Sequence, residues 1–330
     1  MSEKVTLAHG SGGSQTQELI EETFLKILGE EGPSTLEDAA YFQGEGTLAV
    51  TTDSFVVHPL FFPGGDIGKL SVCGTINDLV VSGAKPLLLT AGFILEEGFS
   101  LKDLRRLCFS MAESAKLAGV RIIAGDTKVV EKGKGHGLYV NTTGVGQVVK
   151  RLNASSVSPG DLVVVTGCVG DHGMAVLLAR EEFEIETQVT SDCACLGELL
   201  LPLVEEGLVK WMRDPTRGGL ATTCLELVRS TGYGILLQQE AIPVREETGF
   251  LCHMMGYDPL YLANEGKAVL VVDPPLADRV LGLLRSHPLG EKAAVIGEVT
   301  NRFTGVRLIT PVGGERELDY LEEDPLPRIC

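Results

Sequence analysis

The chain has 330 residues, 44% of them hydrophobic and 22% charged, which excludes a disordered chain and suits two domains. Its formal charge of −17 sets it against phosphate backbones and anionic lipid, so neither nucleic acid nor a membrane is an expected partner. No apolar run reaches membrane-spanning length and the first residues carry no apolar signal core, so the chain reads as soluble and cytoplasmic.

A glycine-rich stretch, His9-Gly10-Ser11-Gly12-Gly13, precedes an amphipathic helix expected over 16–28. A strand over 47–52 ends at Asp53, and a helix follows over 67–82. In that helix Ser71, Thr75, Asp78 and Ser82 form a narrow polar stripe, while Leu70, Val72, Cys73, Ile76, Leu79 and Val80 cover the rest. Such a helix is expected to be buried on most sides with its stripe facing something specific, and Gly74 permits close approach. Then come a strand over 87–94, a helix over 100–118, a short strand over 120–124 ending in Gly125-Asp126-Thr127, and a strand over 137–149. The turn-rich, aperiodic segment 153–160 marks a domain boundary. Beyond it lie a strand over 161–166, a glycine-containing turn and helix, a helix over 220–230 opened by Asp214-Pro215-Thr216-Arg217-Gly218-Gly219, and strands over 234–238 and 267–272. The alternation predicts an α/β architecture of the α+β type, with domains at 1–152 and 153–312 and a mobile tail over 313–330.

Asp53, Asp78 and Asp126 come from three separate elements, and Asp38 is a fourth candidate. Carboxylates converging in this way suit Mg²⁺, but turns and helix caps favour aspartate anyway, so spacing alone leaves both readings open. Gly10–Gly13 offers backbone N–H groups to phosphate, yet it lacks the Walker and dinucleotide spacings and reads equally as a plain N-terminus. The segment from Asp214 to Gly219 opens a helix, where an anion or a simple cap is equally at home. Cys193-x-Cys195 is too tightly spaced for a zinc knuckle, so these read as structural cysteines. Cys330, the last residue of a Pro-containing acidic tail, is a poor structural choice and a good carrier thiol.

The ending Pro327-Arg328-Ile329-Cys330 resembles the signature terminus of the HypE family of hydrogenase maturation factors, the carbamoyl dehydratases. The resemblance extends through His9–Gly13, Thr52-Asp53-Ser54-Phe55, Gly68–Pro86, Ala124–Val129, Asp214–Leu220 and Ala263-Asn264-Glu265-Gly266. The internal blocks are shared with the wider superfamily of aminoimidazole ribonucleotide synthetase, selenophosphate synthetase and thiamine-monophosphate kinase.

That resemblance implies a two-domain aminoimidazole ribonucleotide synthetase-like fold, a homodimer paired through its first domains, and ATP with Mg²⁺ as cofactors. It implies that HypF carbamoylates Cys330, that the thiocarbamate is dehydrated with ATP to a thiocyanate, and that the cyano group passes to iron held by a HypC–HypD complex. The implied binding residues are Gly10, Ser11, Gly12, Gly13, Lys69, Asp53, Asp78, Asp126 and Thr127. Asp38, Asp53, Asp78 and Asp126 are the implied metal ligands, with Glu265 as base and Lys128 as a stabiliser of developing charge. The alternative within the superfamily is an enzyme that activates a small amide substrate by phosphorylation and needs no terminal thiol.

Overall fold

In a computed structural model of the chain, residues 4–6, 19–28, 45–180 and 187–321 are described. Helix α1 is π-helical over Ile20–Leu25 and α-helical over Lys26–Leu28. Strand β1 (Leu48–Phe55) and the short pair β2 (Phe61–Phe62) and β3 (Gly65–Asp66) lead into α2 (Ile67–Val81). The first half continues through β4 (Ala84–Glu96), α3 (Leu101–Leu117), β5 (Arg121–Val130) and β6 (Leu138–Val148). Its sheet runs in the order β1-β6-β4-β5. Only the β4–β5 pair is parallel, and α3 supplies the crossover that such a pair requires.

Helix α2 starts where the Asp66 carboxylate accepts the Lys69 N–H at 3.0 Å. Thirteen of its fifteen residues are buried, so it is a core helix and not a surface one. Ile67, Leu70, Ile76 and Leu79 are fully buried along it, each contributing about 1.5–3 kcal/mol. The Ser71 and Ser82 hydroxyls of the polar stripe turn back to helix carbonyls, and the sheet satisfies the rest. Thr75 Oγ1 and Thr142 Oγ1 lie 2.6 Å apart, and Thr142 donates to the Ser71 carbonyl at 2.9 Å. By contrast α3 is amphipathic, with Leu101, Leu104, Leu107, Cys108 and Met111 turned inward against α2.

The strand expected to stop at Ala124 instead pairs with β4 through to Val130. Its apolar run is short because it is an edge strand, so the polar residues beyond Ala124 stay in the ladder without being buried on both sides. Asp126 therefore sits within a strand, as does Asp53, and neither stands at a strand end.

The second half comprises β7 (Leu162–Val165), α4 (Asp171–Leu178), α5 (Gly197–Glu205), β8 (Trp211–Arg213), α6 (Gly219–Thr231), β9 (Gly234–Gln238) and α7 (Glu246–Met255). It closes with β10 (Val269–Val272), α8 (Ala277–Arg285), β11 (Ala294–Thr300), β12 (Gly305–Ile309) and β13 (Glu315–Leu318). These strands form one seven-stranded sheet, β13-β12-β9-β11-β7-β10-β8. The all-apolar runs β7 and β10 lie inside it, as their composition demands. The segment expected to be mobile from residue 313 begins with a paired strand, β13, whose Leu318 is buried. Tyr261 Oη then holds the Asp319 carbonyl at 2.9 Å.

The two sheets divide the chain between Val148 and Leu162, but the core does not divide there. One apolar cluster runs from α2 and α3 through Met174 of α4 and Leu199, Leu200 and Leu203 of α5. A second cluster fills the far side of the seven-stranded sheet under α6. Helix α2 is thus packed between the halves, and the residues around its C-terminal turn meet both.

Candidate active site

Asp78 on α2 accepts a hydrogen bond from Thr51 Oγ1 on β1 at 2.8 Å. Asp53, two residues along β1 and so on the same face, lies 3.5 Å from the Arg217 guanidinium. Asp214, at the end of β8, completes an acidic group. Burial raises the Asp78 carboxyl above its ordinary value; Thr51 counteracts this and the Asp53 charge adds to it. Asp214 is pushed to about 7, first by burial and then by the charge of Asp78. Carboxylates held this close, with Arg213 and Arg217 as the nearby cations, form a cleft short of positive charge.

The wall facing that cleft is the start of α6. Gly218 and Gly219 both take φ +62, and a Cβ on Gly219 would lie 2.6 Å from the Leu260 and Leu262 carbonyls. Only glycine lets this helix start approach the 260–262 segment, and the approach places Arg217 over Asp53. An N-terminal helix end beside an arginine, across from grouped carboxylates, is chemically suited to a polyphosphate carried with a divalent cation. Among the described residues no group of three His, Cys, Asp or Glu is arranged to hold a metal ion by itself.

Glu265 approaches α2 at Gly74, one turn before Asp78 and so on the same face of the helix. It is 2% exposed, and its Oε1 has no hydrogen-bond partner. Burial drives its carboxyl well above the usual range, and the charges of Cys193, Asp214, Asp192 and Asp53 reinforce the shift. Gly74 makes the space, since a Cβ there would meet the Phe55 ring at 3.0 Å and Glu265 Oε2 at 3.8 Å. The Glu265 backbone is fully engaged: its N–H donates to Asp192 Oδ1 at 3.0 Å, and its carbonyl accepts from Asn77 Nδ2 at 3.2 Å. Beneath it Lys267 Nζ stands 3.3 Å from Asp192 Oδ2, a buried ion pair. A desolvated carboxyl with one free oxygen can take or give a proton inside a water-poor pocket.

Asp53, Asp78 and Glu265, together with Asp214 and Arg217, are therefore neighbours around α2. Asp126 and Lys128 are not. They lie 3.8 Å from each other on the outer face of the sheet, 73% and 69% exposed, whereas Asp78 approaches the inner face. Asp126 is paired across β4 and β6 in register with Gly92, Asn141 and Ser54, three strands from β1. The expected convergence of three aspartates thus fails within one chain, because alternation along β5 sends Asp126 outward while Asp53 on β1 points inward. Thr127 donates its N–H to Asp126 Oδ1 at 2.8 Å, and Lys69 Nζ donates to the Gly64 carbonyl at 3.0 Å. Gly10, Ser11, Gly12, Gly13, Asp38 and Cys330 lie outside the described residues.

Sequence reasoning missed Asn77 and Asp192. Asn77 sits off the polar stripe of α2 among apolar neighbours, and that lone buried amide was the available signal. Asp192 precedes Cys193 in a segment without periodicity, and nothing local marks it. The cysteines do form a cluster: Cys195 Sγ is 3.4 Å from Cys73 Sγ. Hydrogen bonding with Cys193 and Cys195 holds the Cys73 thiol well above its ordinary value, whereas the bond with Cys73 lowers that of Cys195.

The chain belongs to the AIR synthase related proteins, matching their N-terminal domain over residues 36–148 and their C-terminal domain over residues 158–309. Within that class it is 48% identical to the carbamoyl dehydratase HypE of Azotobacter vinelandii, over 99% of this chain and 97% of that one. The crystal structure of a hydrogenase maturation protein HypE in complex with ATP superposes with a TM-score of 0.95 at 42% identity, covering 98% of this chain and 99% of that one. A HypE chain from a HypE–HypF complex matches with a TM-score of 0.81 at 47% identity, covering 92% and 99%. The chain is a member of the HypE carbamoyl dehydratase family.

Proposed function

We propose that the chain is an ATP-dependent carbamoyl dehydratase acting on an S-carbamoyl group carried by its own Cys330, with HypF as the carbamoyl donor and a HypC–HypD complex as the cyanide acceptor. The observation that carries the reading is the placing, along one face of α2, of an acidic cleft beside a buried carboxyl that has a free oxygen. The membership in the HypE family supplies the substrate class.

An amide oxygen leaves only once it has been made a phosphate ester. The thiocarbamate oxygen attacks the γ-phosphorus of ATP and ADP departs. Loss of the two nitrogen protons and of phosphate then leaves S–C≡N, so that thiocarbamate and ATP give thiocyanate, ADP and phosphate. Glu265 takes a nitrogen proton; burial makes its carboxylate a strong base once ionised, and the rate it supports rises as pH climbs through its pKa. Arg217 and the start of α6 hold phosphate oxygens. Asp53 and Asp78 suit Mg²⁺, which takes one or two carboxylates with phosphates and water, and it would supply charge neutralisation on the transferring phosphoryl group.

The tail root supports the use of Cys330. Asp319 is held by Tyr261, four residues from Glu265 in sequence. From Leu321 an extended tail to Cys330 reaches at most about 30 Å, enough to enter the cleft and to leave it for a partner.

Asp126 and Lys128 join the reading only through a second copy of the chain. The outer sheet face carries exposed Leu48, Val50 and Ile94 among small polar residues, an apolar patch suited to face-to-face pairing of two first domains. Such a homodimer would bring one copy's Asp126 and Lys128 against the outer sheet face of the other copy.

Intact-protein mass spectrometry after incubation with HypF, carbamoyl phosphate and ATP tests the reading. A carbamoyl adduct on the Cys330 peptide that loses one water is the expected result. An unmodified Cys330 in the presence of active HypF would instead favour a small-molecule amide substrate.

A further inference from the structure

Asn77 is 1% exposed and spends every hydrogen-bonding group of its side chain on the second half of the molecule. Its Nδ2 donates to the carbonyls of Ala194 at 3.0 Å and Glu265 at 3.2 Å, and its Oδ1 accepts the Leu196 N–H at 2.8 Å. Two carbonyls and one N–H fix which way the amide faces. These partners belong to a coil over 191–196 that wraps Glu265. Asp192 takes the Glu265 N–H, and the Ala194 N–H reaches the Glu265 carbonyl at 3.4 Å. The coil is itself tied at its start, where Ser191 N–H donates to the Pro63 carbonyl at 2.8 Å and Ser191 Oγ lies 2.8 Å from His172 Nδ1. Gly266 lets the wrap close, since a Cβ there would overlap the Asp192 carbonyl.

The next residue on α2, Asp78, projects about 100° further round the helix, where it accepts from Thr51 in the acidic cleft. Adjacent residues of one rigid, buried turn therefore hold the phosphate side and the carboxyl side of the site. We propose that Asn77 is a positioning residue: it sets the Glu265 carboxyl in register with the cleft at Asp78, so that deprotonation follows phosphorylation before water can intervene. The proposal rests on the reading of Glu265 as the base.

If register is lost, phosphorylation of the thiocarbamate still consumes ATP, but the phosphorylated intermediate waits for its base. Water then attacks phosphorus and returns the thiocarbamate with phosphate, and ADP accumulates beyond thiocyanate. Asn77→Ala is expected to slow thiocyanate formation about a hundredfold, the cost of a misplaced reacting group, with ATP affinity within a fewfold of the parent. The ADP-to-thiocyanate ratio rises above one. Asn77→Asp, which turns a carboxylate toward two carbonyls, is at least as damaging.

The deciding measurement is a double-variant cycle with HypF-carbamoylated full-length protein. Because Asn77 acts through Glu265, adding Asn77→Ala to Glu265→Gln costs less than about twofold more. A further hundredfold loss in that background, or an unchanged rate and ratio in Asn77→Ala alone, overturns the proposal. Full activity of Glu265→Gln alone overturns the base reading instead, so the two failures are told apart. Should Asn77→Ala not fold, Asn77→Ser, which keeps one donor in place, carries the same cycle.

Discussion

On the inner face of the first sheet, Asp53 has a side chain 23% exposed and sits with Asp78, Asp214 and Arg217 under the second domain. On the outer face of the same sheet Asp126 is 73% exposed, with Lys128 and the Thr127 N–H beside it. The residue type is the same and the strands are three apart, yet the surroundings differ in kind. Inside, burial and like charge hold the Asp78 and Asp214 carboxyls above their ordinary values, so a cation or a proton is demanded by the chain itself. Outside, water satisfies the carboxylate and nothing is demanded until another surface arrives. An inner carboxylate can thus do chemistry within one chain, whereas an outer one becomes functional only by assembly.

The largest expected effect belongs to the inner side. Glu265→Gln keeps the shape of the buried side chain but cannot accept a proton, and thiocyanate formation falls about a thousandfold. Single-turnover assays of the carbamoylated protein check it; a rate within tenfold of the parent would move the base elsewhere. Mixing variants asks whether the outer face serves a neighbour's site. Lys128→Ala and Glu265→Gln are each inactive alone if both residues are needed. In a twofold homodimer built across the outer faces, half the molecules are mixed and one of their two sites is intact, so about a quarter of full activity returns. Activity that stays at the level of the separate variants places Lys128 in its own chain's site or outside the chemistry.

Much of the frame was legible because it depended on local pattern. Helix α2 could be read from its apolar residues and its stripe, since a helix buried on all sides needs no distant information. The strands β7 and β9 were legible as apolar runs bounded by turn residues. Strands β11, β12 and β13 were not, because polar residues such as Glu298, Arg307 and Glu317 break the apolar run where one face meets water. For the site, Asp53 and Asp78 stand out as carboxylates on separate elements and Glu265 through a family motif, and their grouping depends on which face each strand residue takes. A shift of one residue in that register reverses the answer, and the reversal at Asp126 is such a case. Asp192 was out of reach, since its role comes from a contact with residue 265 that no local spacing encodes.

A middling effect tests how tightly the inner side is built. Gly266→Ala places a Cβ into the Asp192 carbonyl, so the coil over 191–196 has to move off Glu265. The expected cost is about 2–4 kcal/mol of stability, measured by denaturant unfolding, because backbone and not a flexible side chain stands in the way. Gly133→Ala on the first domain, where φ is +82 but nothing lies within 4 Å, carries only the backbone penalty of about 1 kcal/mol. Equal losses at the two positions would mean that the coil yields freely.

The smallest effect is also the one with the least intuitive sign. Glu265 is held protonated by burial, so its folded pKa lies above its unfolded one. The folded chain therefore binds a proton that the unfolded chain releases, an advantage that is intact below the unfolded carboxyl pKa near 4.5 and fades as pH rises through the folded value. Glu265→Gln removes that dependence: near pH 4 the variant and the parent melt together, and above it the variant becomes the more stable by a few degrees. A Glu265→Gln melting curve that tracks the parent at every pH would mean that the pocket admits enough water to solvate the charge. The base would then be an ordinary surface carboxylate, and the contrast between the two faces would lose its physical footing.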